Sequence, residues 1–99
     1  MRLKVELHRE AVWFIRHRCS DAEVDAFYGH LEKIRTKPIA NSEAVADPGL
    51  SRYMLRFFRF AHCIAIFQYR PAEDRIIVRQ CRRIRPRRRR KPNDAPPGP

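Results

Sequence analysis

The sequence has no apolar run of the roughly 18–20 residues that cross a bilayer, so no transmembrane helix and no membrane association are expected. Its first residues, Met1-Arg-Leu-Lys-Val-Glu-Leu-His8, are broken by charge at every second position. That is unlike the unbroken apolar segment of a secretory leader, and none is expected. Cysteine is scarce and odd in number: Cys19, Cys63 and Cys81 lie far apart, with no CxxC pair. Neither a disulfide framework nor a zinc site is suggested, and the thiols read as buried and reduced, in a cytoplasmic protein. There is no P-loop, GxGxxG, HExxH, GxSxG or EF-hand pattern. The four histidines (His8, His17, His30, His62) fall at no spacing that would gather them on one helix face. No metal and no cofactor is expected.

Acidic residues are missing from one half only. Residues 1–50 carry eight basic and eight acidic groups, whereas residues 51–99 carry fourteen basic groups against Glu73, Asp74 and Asp94. The net charge of +11 on 99 residues therefore belongs to the second half. Such asymmetry points to a polyanionic or acidic partner met by one face. Large apolar residues are absent after Ile84. The segment Arg85–Pro99 holds six basic groups and five of the eight prolines. It cannot bury enough surface to offset ordering entropy, so a disordered or extended basic tail is expected there. Residues 1–84, with 43% apolar residues in the chain as a whole, are expected to form one small domain.

Leu3, Val5 and Leu7 alternate with charged residues, a period-two strand. Val12, Ile15 and Cys19 follow at helical spacing. Ser20-Asp-Ala-Glu23 is a capping box, in which the Ser20 hydroxyl accepts from the Glu23 amide and Glu23 reaches back. After it, Val24, Phe27, Tyr28, Leu31 and Ile34 form one apolar stripe, and Pro38 stops the helix. Two helices joined this closely are expected to form a hairpin. Residues 39–52 read as a long connection, containing Asn41-Ser42 and Asp47-Pro48-Gly49. Tyr53–Phe60, Cys63–Tyr69 and Ile76–Ile84 read as three strands with short links, hence an antiparallel meander. The expected fold is α+β, in the order β-α-α-β-β-β, with an antiparallel sheet covered on one face by the helical hairpin. The other face is left for Arg56, Arg59, Arg79 and Arg83.

Eight arginines between Arg52 and Arg83 face only two acids. They read either as a phosphate-binding surface or as a surface for an acidic protein segment. The target-binding candidates are Arg56, Arg59, Arg79, Arg82, Arg83 and Arg85. Tyr53, Phe57, Phe58 and Tyr69 among them could stack on bases or could be core. His62, beside several arginines, reads either as a proton shuttle or as a surface or capping histidine.

Order and local wording resemble the RelE/ParE superfamily, the small toxins of bacterial type II toxin–antitoxin modules, also called plasmid stabilisation proteins. The resemblance covers about residues 3–84. It rests on Val5-Glu-Leu-His-Arg-Glu-Ala11, on Phe27-Tyr-Gly-His-Leu-Glu-Lys-Ile34 with Lys37-Pro38, and on three later stretches: Pro48-Gly-Leu-Ser-Arg-Tyr53, Ile64-Ala-Ile-Phe-Gln-Tyr69 and Asp74–Arg83. It implies a toxin neutralised by a cognate antitoxin with an acidic segment, as a homodimer or as a heterotetramer with that antitoxin. RelE-like members cut mRNA on the ribosome without a metal; ParE-like members poison DNA gyrase. Nuclease members tend to carry an Arg in the central strand, where this chain has Ile64, and a Tyr or His-Tyr pair near the end, where this chain has Cys81-Arg-Arg-Ile84. The Pro48-Gly-Leu50 approach and the Arg82-Arg83 ending look more like the ParE side. The expectation is thus a ParE-like toxin, with a RelE-like mRNA endonuclease as first alternative and a non-toxic nucleic-acid-binding module as second. In the nuclease case His62, Arg79, Arg82 and Arg83 are the catalytic candidates.

Overall fold

The computed structural model describes residues 2–46 and 54–84. Tyr53, the turn expected at Asp47-Pro48-Gly49, Arg85 and the tail expected after Ile84 lie outside the described residues. The order is β1 (Lys4–Leu7), α1 (Arg9–Arg18), α2 (Asp21–Thr36), β2 (Glu43–Ala44), β3 (Leu55–Phe60), β4 (Cys63–Arg70) and β5 (Arg75–Arg83), with a 3-10 turn at Pro71–Glu73. The strands form one five-stranded sheet in the order β1-β5-β4-β3-β2.

The capping box starts α2 as expected: the Glu23 amide donates to Ser20 Oγ at 3.2 Å and the Ser20 amide to Glu23 Oε1 at 3.0 Å. Phe27, Leu31 and Ile34 of its stripe are buried, but Tyr28 remains 48% exposed. Both helices pack on one face of the sheet, α1 against β5 and α2 against β3. They cover Phe58, Phe60, Cys63, Ala65, Phe67, Ile76, Val78 and Cys81, which alternate along β3, β4 and β5.

Two features differ from the expected sheet. First, β1 runs parallel to β5, Val5 beside Ile76 and Leu7 beside Val78, so the sheet is mixed rather than antiparallel. The period-two pattern fixes which residues of a strand face the core but not its direction. Direction follows from the return path through the helices and the parity of the hairpins that come after. Second, the connection contains a two-residue strand, β2, which pairs with Arg56 and Phe57.

The register of β5 on β4 holds a bulge. Phe67 opposes Val78 and Ile66 opposes Gln80, so Arg79 is an extra residue with no partner. Val78 and Cys81 are buried, and Arg79 and Gln80 between them are both exposed.

The β3–β4 hairpin closes through Ala61 and His62, with Phe60 opposite Cys63. Ala61 has φ 50°, in the left-handed region that disfavours a Cβ by roughly 1–2 kcal/mol. Glycine there relieves that strain but loses about 0.5–1 kcal/mol to chain entropy. Ala61→Gly is therefore expected to stabilise the fold by about 0.5–1 kcal/mol, read as a raised urea midpoint with an unchanged slope. A lowered midpoint would show that the turn carries no strain.

Candidate functional site

The face of the sheet away from the helices is built by the other half of each alternation. Leu55 and Phe57 of β3, Ile64, Ile66 and Gln68 of β4 and Ile77 of β5 form its floor. These residues are half-buried except Ile77, which is buried. Arg59, Arg70, Arg79 and Arg82 rise around them, and a shallow cavity of about 540 Å³ opens between Leu55, Ile66, Arg70, Arg79, Gln80 and Arg82. Arg70 is held by Glu73 at 3.1 Å, and Arg82 donates to Gln80 Oε1 at 3.1 Å. Arg59 and Arg79 make no ion pair among the described residues. At the two edges stand the carboxylates Glu6, paired with Arg75 at 3.1 Å, and Glu43, in register with Phe57. The strands bring neither His nor Tyr to the floor of this face, since Tyr69 lies opposite Ile76 on the helix side.

Two of the arginines expected on this face are not on it. Arg56 opposes the buried Phe67, so it points to the helix side. There its Nε donates to Ser42 Oγ at 2.6 Å and its Nη2 to the Ser42 carbonyl at 3.0 Å. Arg56 and Arg59 are three apart on one strand, so period two separates them. Arg83 opposes the buried Cys63, also on the helix side. A regular alternation starting at Ile76 would set Arg79 and Arg83 outward and Arg82 inward. The bulge changes the phase, so Arg82 is on the open face and Arg83 is not.

Arg83 instead fastens the end of β5 to the helical hairpin. Its Nη1 donates to Glu23 Oε2 at 2.7 Å and its Nη2 to the Arg18 carbonyl at 2.7 Å. That guanidinium, followed by the Ser20 amide, holds the Glu23 carboxyl down at about 2. The same contact raises the Arg83 pKa. A carboxyl with a depressed folded-state pKa contributes stability that is present above its ordinary 4.5 and lost as the pH falls toward 2. The melting temperature is expected to fall across that window, and Glu23→Gln should flatten the fall while lowering the plateau at neutral pH. Parallel acid profiles in both proteins would refute this assignment.

His62, in the β3–β4 turn, accepts from the Ile84 amide through its carbonyl at 2.8 Å. Its exposed side chain shares a cavity of about 600 Å³ with Arg59, Arg83 and Ile84. Arg79 and Arg82 line the other cavity, so the four catalytic candidates are divided. Burial raises all three thiols, Cys63 to about 11, with the Glu23 carboxylate beside it adding to the rise, and Cys81 to about 12. None is a nucleophile near neutral pH. Among the described residues no group of three or more His, Cys, Asp or Glu side chains is arranged to hold a metal ion. Of the floor only Phe57 was foreseen as a site residue; Arg70 and the aliphatic floor residues were not. Arg70 ends β4 but reads in sequence as part of the following loop, and Ile64 and Ile66 read as interior because the strand is apolar on both sides.

The fold is similar to several solved structures. A chain of the RelBE2 toxin–antitoxin complex of Mycobacterium tuberculosis aligns with a TM-score of 0.71 at 7% identity, over 84% of this chain and 99% of that one. The isolated RelE toxin of E. coli aligns with a TM-score of 0.71 at 9% identity, over 87% and 88%. The archaeal RelE–RelB complex of Pyrococcus horikoshii aligns with a TM-score of 0.67 at 14% identity, over 84% and 96%. At these identities the likeness is one of fold, and it is the fold that the sequence resemblance implied. No protein-family model and no curated protein matches the chain.

Proposed function

We propose that the chain is the toxin of a type II toxin–antitoxin module, and that it acts on RNA in the manner of RelE toxins. The observation that carries this reading is the cationic open face on a RelE fold. Arg59, Arg70, Arg79 and Arg82 are spaced around an apolar floor, suiting an extended polyanion whose phosphates meet the guanidiniums. Phe57 is the one aromatic side chain of β3 or β4 on that floor, where a base could stack on it. A guanidinium at a phosphate also stabilises the charge that develops when the 2′-hydroxyl attacks it. A proton acceptor beside the face is His62, which shares a cavity with Arg59. Arg85 and the basic residues after it would lengthen the positive surface. The protein partner is an antitoxin with an acidic segment.

A ParE-like reading, with DNA gyrase as target, has one observation of its own. The centre of the open face is Ile64 and Ile66, and among the described residues no basic side chain, Tyr or His stands on the floor, which suits binding of a target better than cleavage. Induced expression separates the two. Cleaved messages with intact DNA are expected, and gyrase-linked DNA breaks with intact messages would overturn the RNA reading. Loss of cleavage by roughly a hundredfold in His62→Gln would assign the proton transfer to His62. Unchanged cleavage would remove it from the site.

A further inference from the structure

The three cysteines are distant in sequence, yet all are free and all pack into the one core beneath the helices. Cys63, which opens β4, and Cys81 of β5 are buried. Cys19 is half-buried and stands at the junction of the two helices with an extended backbone. It ends α1 and precedes Ser20, the cap of α2.

Cys19 and Cys63 are held by the same two side chains. Before Cys19, the Arg18 carbonyl accepts from Arg83 Nη2 at 2.7 Å; after it, the Ser20 amide donates to Glu23 Oε1 at 3.0 Å. Cys63 opposes Arg83 in the β4–β5 ladder, and its thiol donates to Glu23 Oε2 at 3.5 Å. Arg83 Nη1 reaches that same oxygen at 2.7 Å and closes the ring of contacts. Within the ring the Cys19 and Cys63 thiols are in hydrogen-bonding contact. Cys81 is placed differently. It opposes Ala65, so it lies diagonally from Cys63, at about 7–8 Å in such a ladder, where a disulfide requires backbone movement. It lines a crevice with Trp13 and Phe14, nearer the middle of α1.

We propose that Cys19 and Cys63 form a modification site for hydroperoxides, closing to a disulfide that clamps the α1–α2 junction to the start of β4. The Cys19 sulfur, as thiolate, attacks the outer peroxide oxygen. The O–O bond breaks, the alcohol or water leaves with the Cys19 proton, and Cys19 becomes a sulfenic acid. The Cys63 sulfur then attacks the Cys19 sulfur. The S–O bond breaks, and the hydroxide departs as water with the Cys63 proton. The two thiols lose two electrons and the peroxide gains them. Burial keeps both thiols protonated, so the clamp closes slowly at neutral pH, and its rate rises about tenfold between pH 7 and 8. The site does not rest on the toxin reading.

Reduced full-length protein exposed to hydrogen peroxide at about pH 8 is expected to remain a monomer and lose about 2 Da. Proteolysis should release one cross-linked peptide joining Cys19 to Cys63. The bond closes a loop of about 45 residues, so the melting temperature should rise by roughly 10 °C and return with dithiothreitol. Exchange should slow at the Ile84 amide, which donates to the His62 carbonyl beside Cys63. Cys81→Ala should oxidise as the parent does. Cys63→Ala should stop at the sulfenic acid, captured on Cys19 by dimedone. If Cys63→Ala fails to fold, Cys19→Ser, altered at a half-buried junction, should form no internal cross-link. The proposal is overturned by an unchanged mass after prolonged exposure, by a cross-link to Cys81, by linked dimers in place of the internal bond, or by an internal disulfide in Cys19→Ser. Growth inhibition enters none of these readouts, so the clamp and the toxin reading are tested separately.

Discussion

Charge reversal at Arg59, Arg79 and Arg82 together is expected to abolish growth inhibition while leaving the protein folded. All three side chains are exposed on the open face, and none makes an ion pair among the described residues. Each guanidinium removed from a phosphate lowers the slope of log affinity against log salt by somewhat less than one, and an added carboxylate repels the same phosphate. Affinity for single-stranded RNA should therefore drop by roughly a hundredfold or more at physiological salt, with the slope reduced by about two, since a single strand contributes about 0.7 per contact. Fluorescence anisotropy over a salt series reads both quantities, and a melting curve checks the fold. A folded triple variant that still arrests growth would remove the open face from the activity. Arg83→Glu is the instructive contrast. It sets a carboxylate against Glu23 and breaks the link to the Arg18 carbonyl, so it should lower the melting temperature first and affect binding only through unfolding.

The largest effect on stability is expected from Phe27→Ala. Phe27 is fully buried where α2 meets β3, its ring centre 5.1 Å from that of Phe60 and 5.8 Å from that of Phe58. Phe58 in turn stacks on His30, at 4.8 Å and nearly parallel. Removing the ring leaves a cavity among aromatic rings that cannot easily collapse, at a cost of about 3–5 kcal/mol. Domains of this size have on the order of 5–15 kcal/mol in all. The melting temperature should fall by about 20 °C, or the protein should not fold at 37 °C. A fall of only a few degrees would mean that α2 is not seated on β3 as described. Tyr28, the next residue, shares the sequence stripe but is half exposed, so Tyr28→Ala serves as the matched control with a small effect.

Much of the architecture is legible in the sequence, and the reasons differ by element. The start of α2 is spelled out by Ser20 and Glu23, because a capping box is a local interaction between residues three apart. The two hairpins can be read because their links are short. Three things resist. The parallel pairing of β1 with β5 is a contact between distant segments of the chain, and nothing in Leu3–Leu7 encodes its direction. The phase of β5 after Val78 depends on a bulge, which no composition signal marks in an Arg-rich stretch. Ile64 and Ile66 are only half-buried because no second layer covers them among the described residues, whereas a strand apolar on both sides is read as covered on both. The candidate site suffers most from this. Arg59, Arg79 and Arg82 are on the open face, but Arg56 and Arg83, equally basic in sequence, serve the fold.

The bulge at Arg79 has a consequence for how the chain tolerates change in length. Losing one residue from the middle of a half-buried strand ordinarily turns every later side chain to the opposite face. Here Arg79 is the supernumerary residue. Without it Val78 and Gln80 would be consecutive opposite Phe67 and Ile66, and Cys81 and Arg83 would keep the orientation they have. The strand can thus lose one cation of the open face while its inward side chains and its anchor to Glu23 stay in register. A relative that lacks the bulge would align with this chain through a gap at Arg79, and roles carried across without that gap would exchange Arg82 with Arg83.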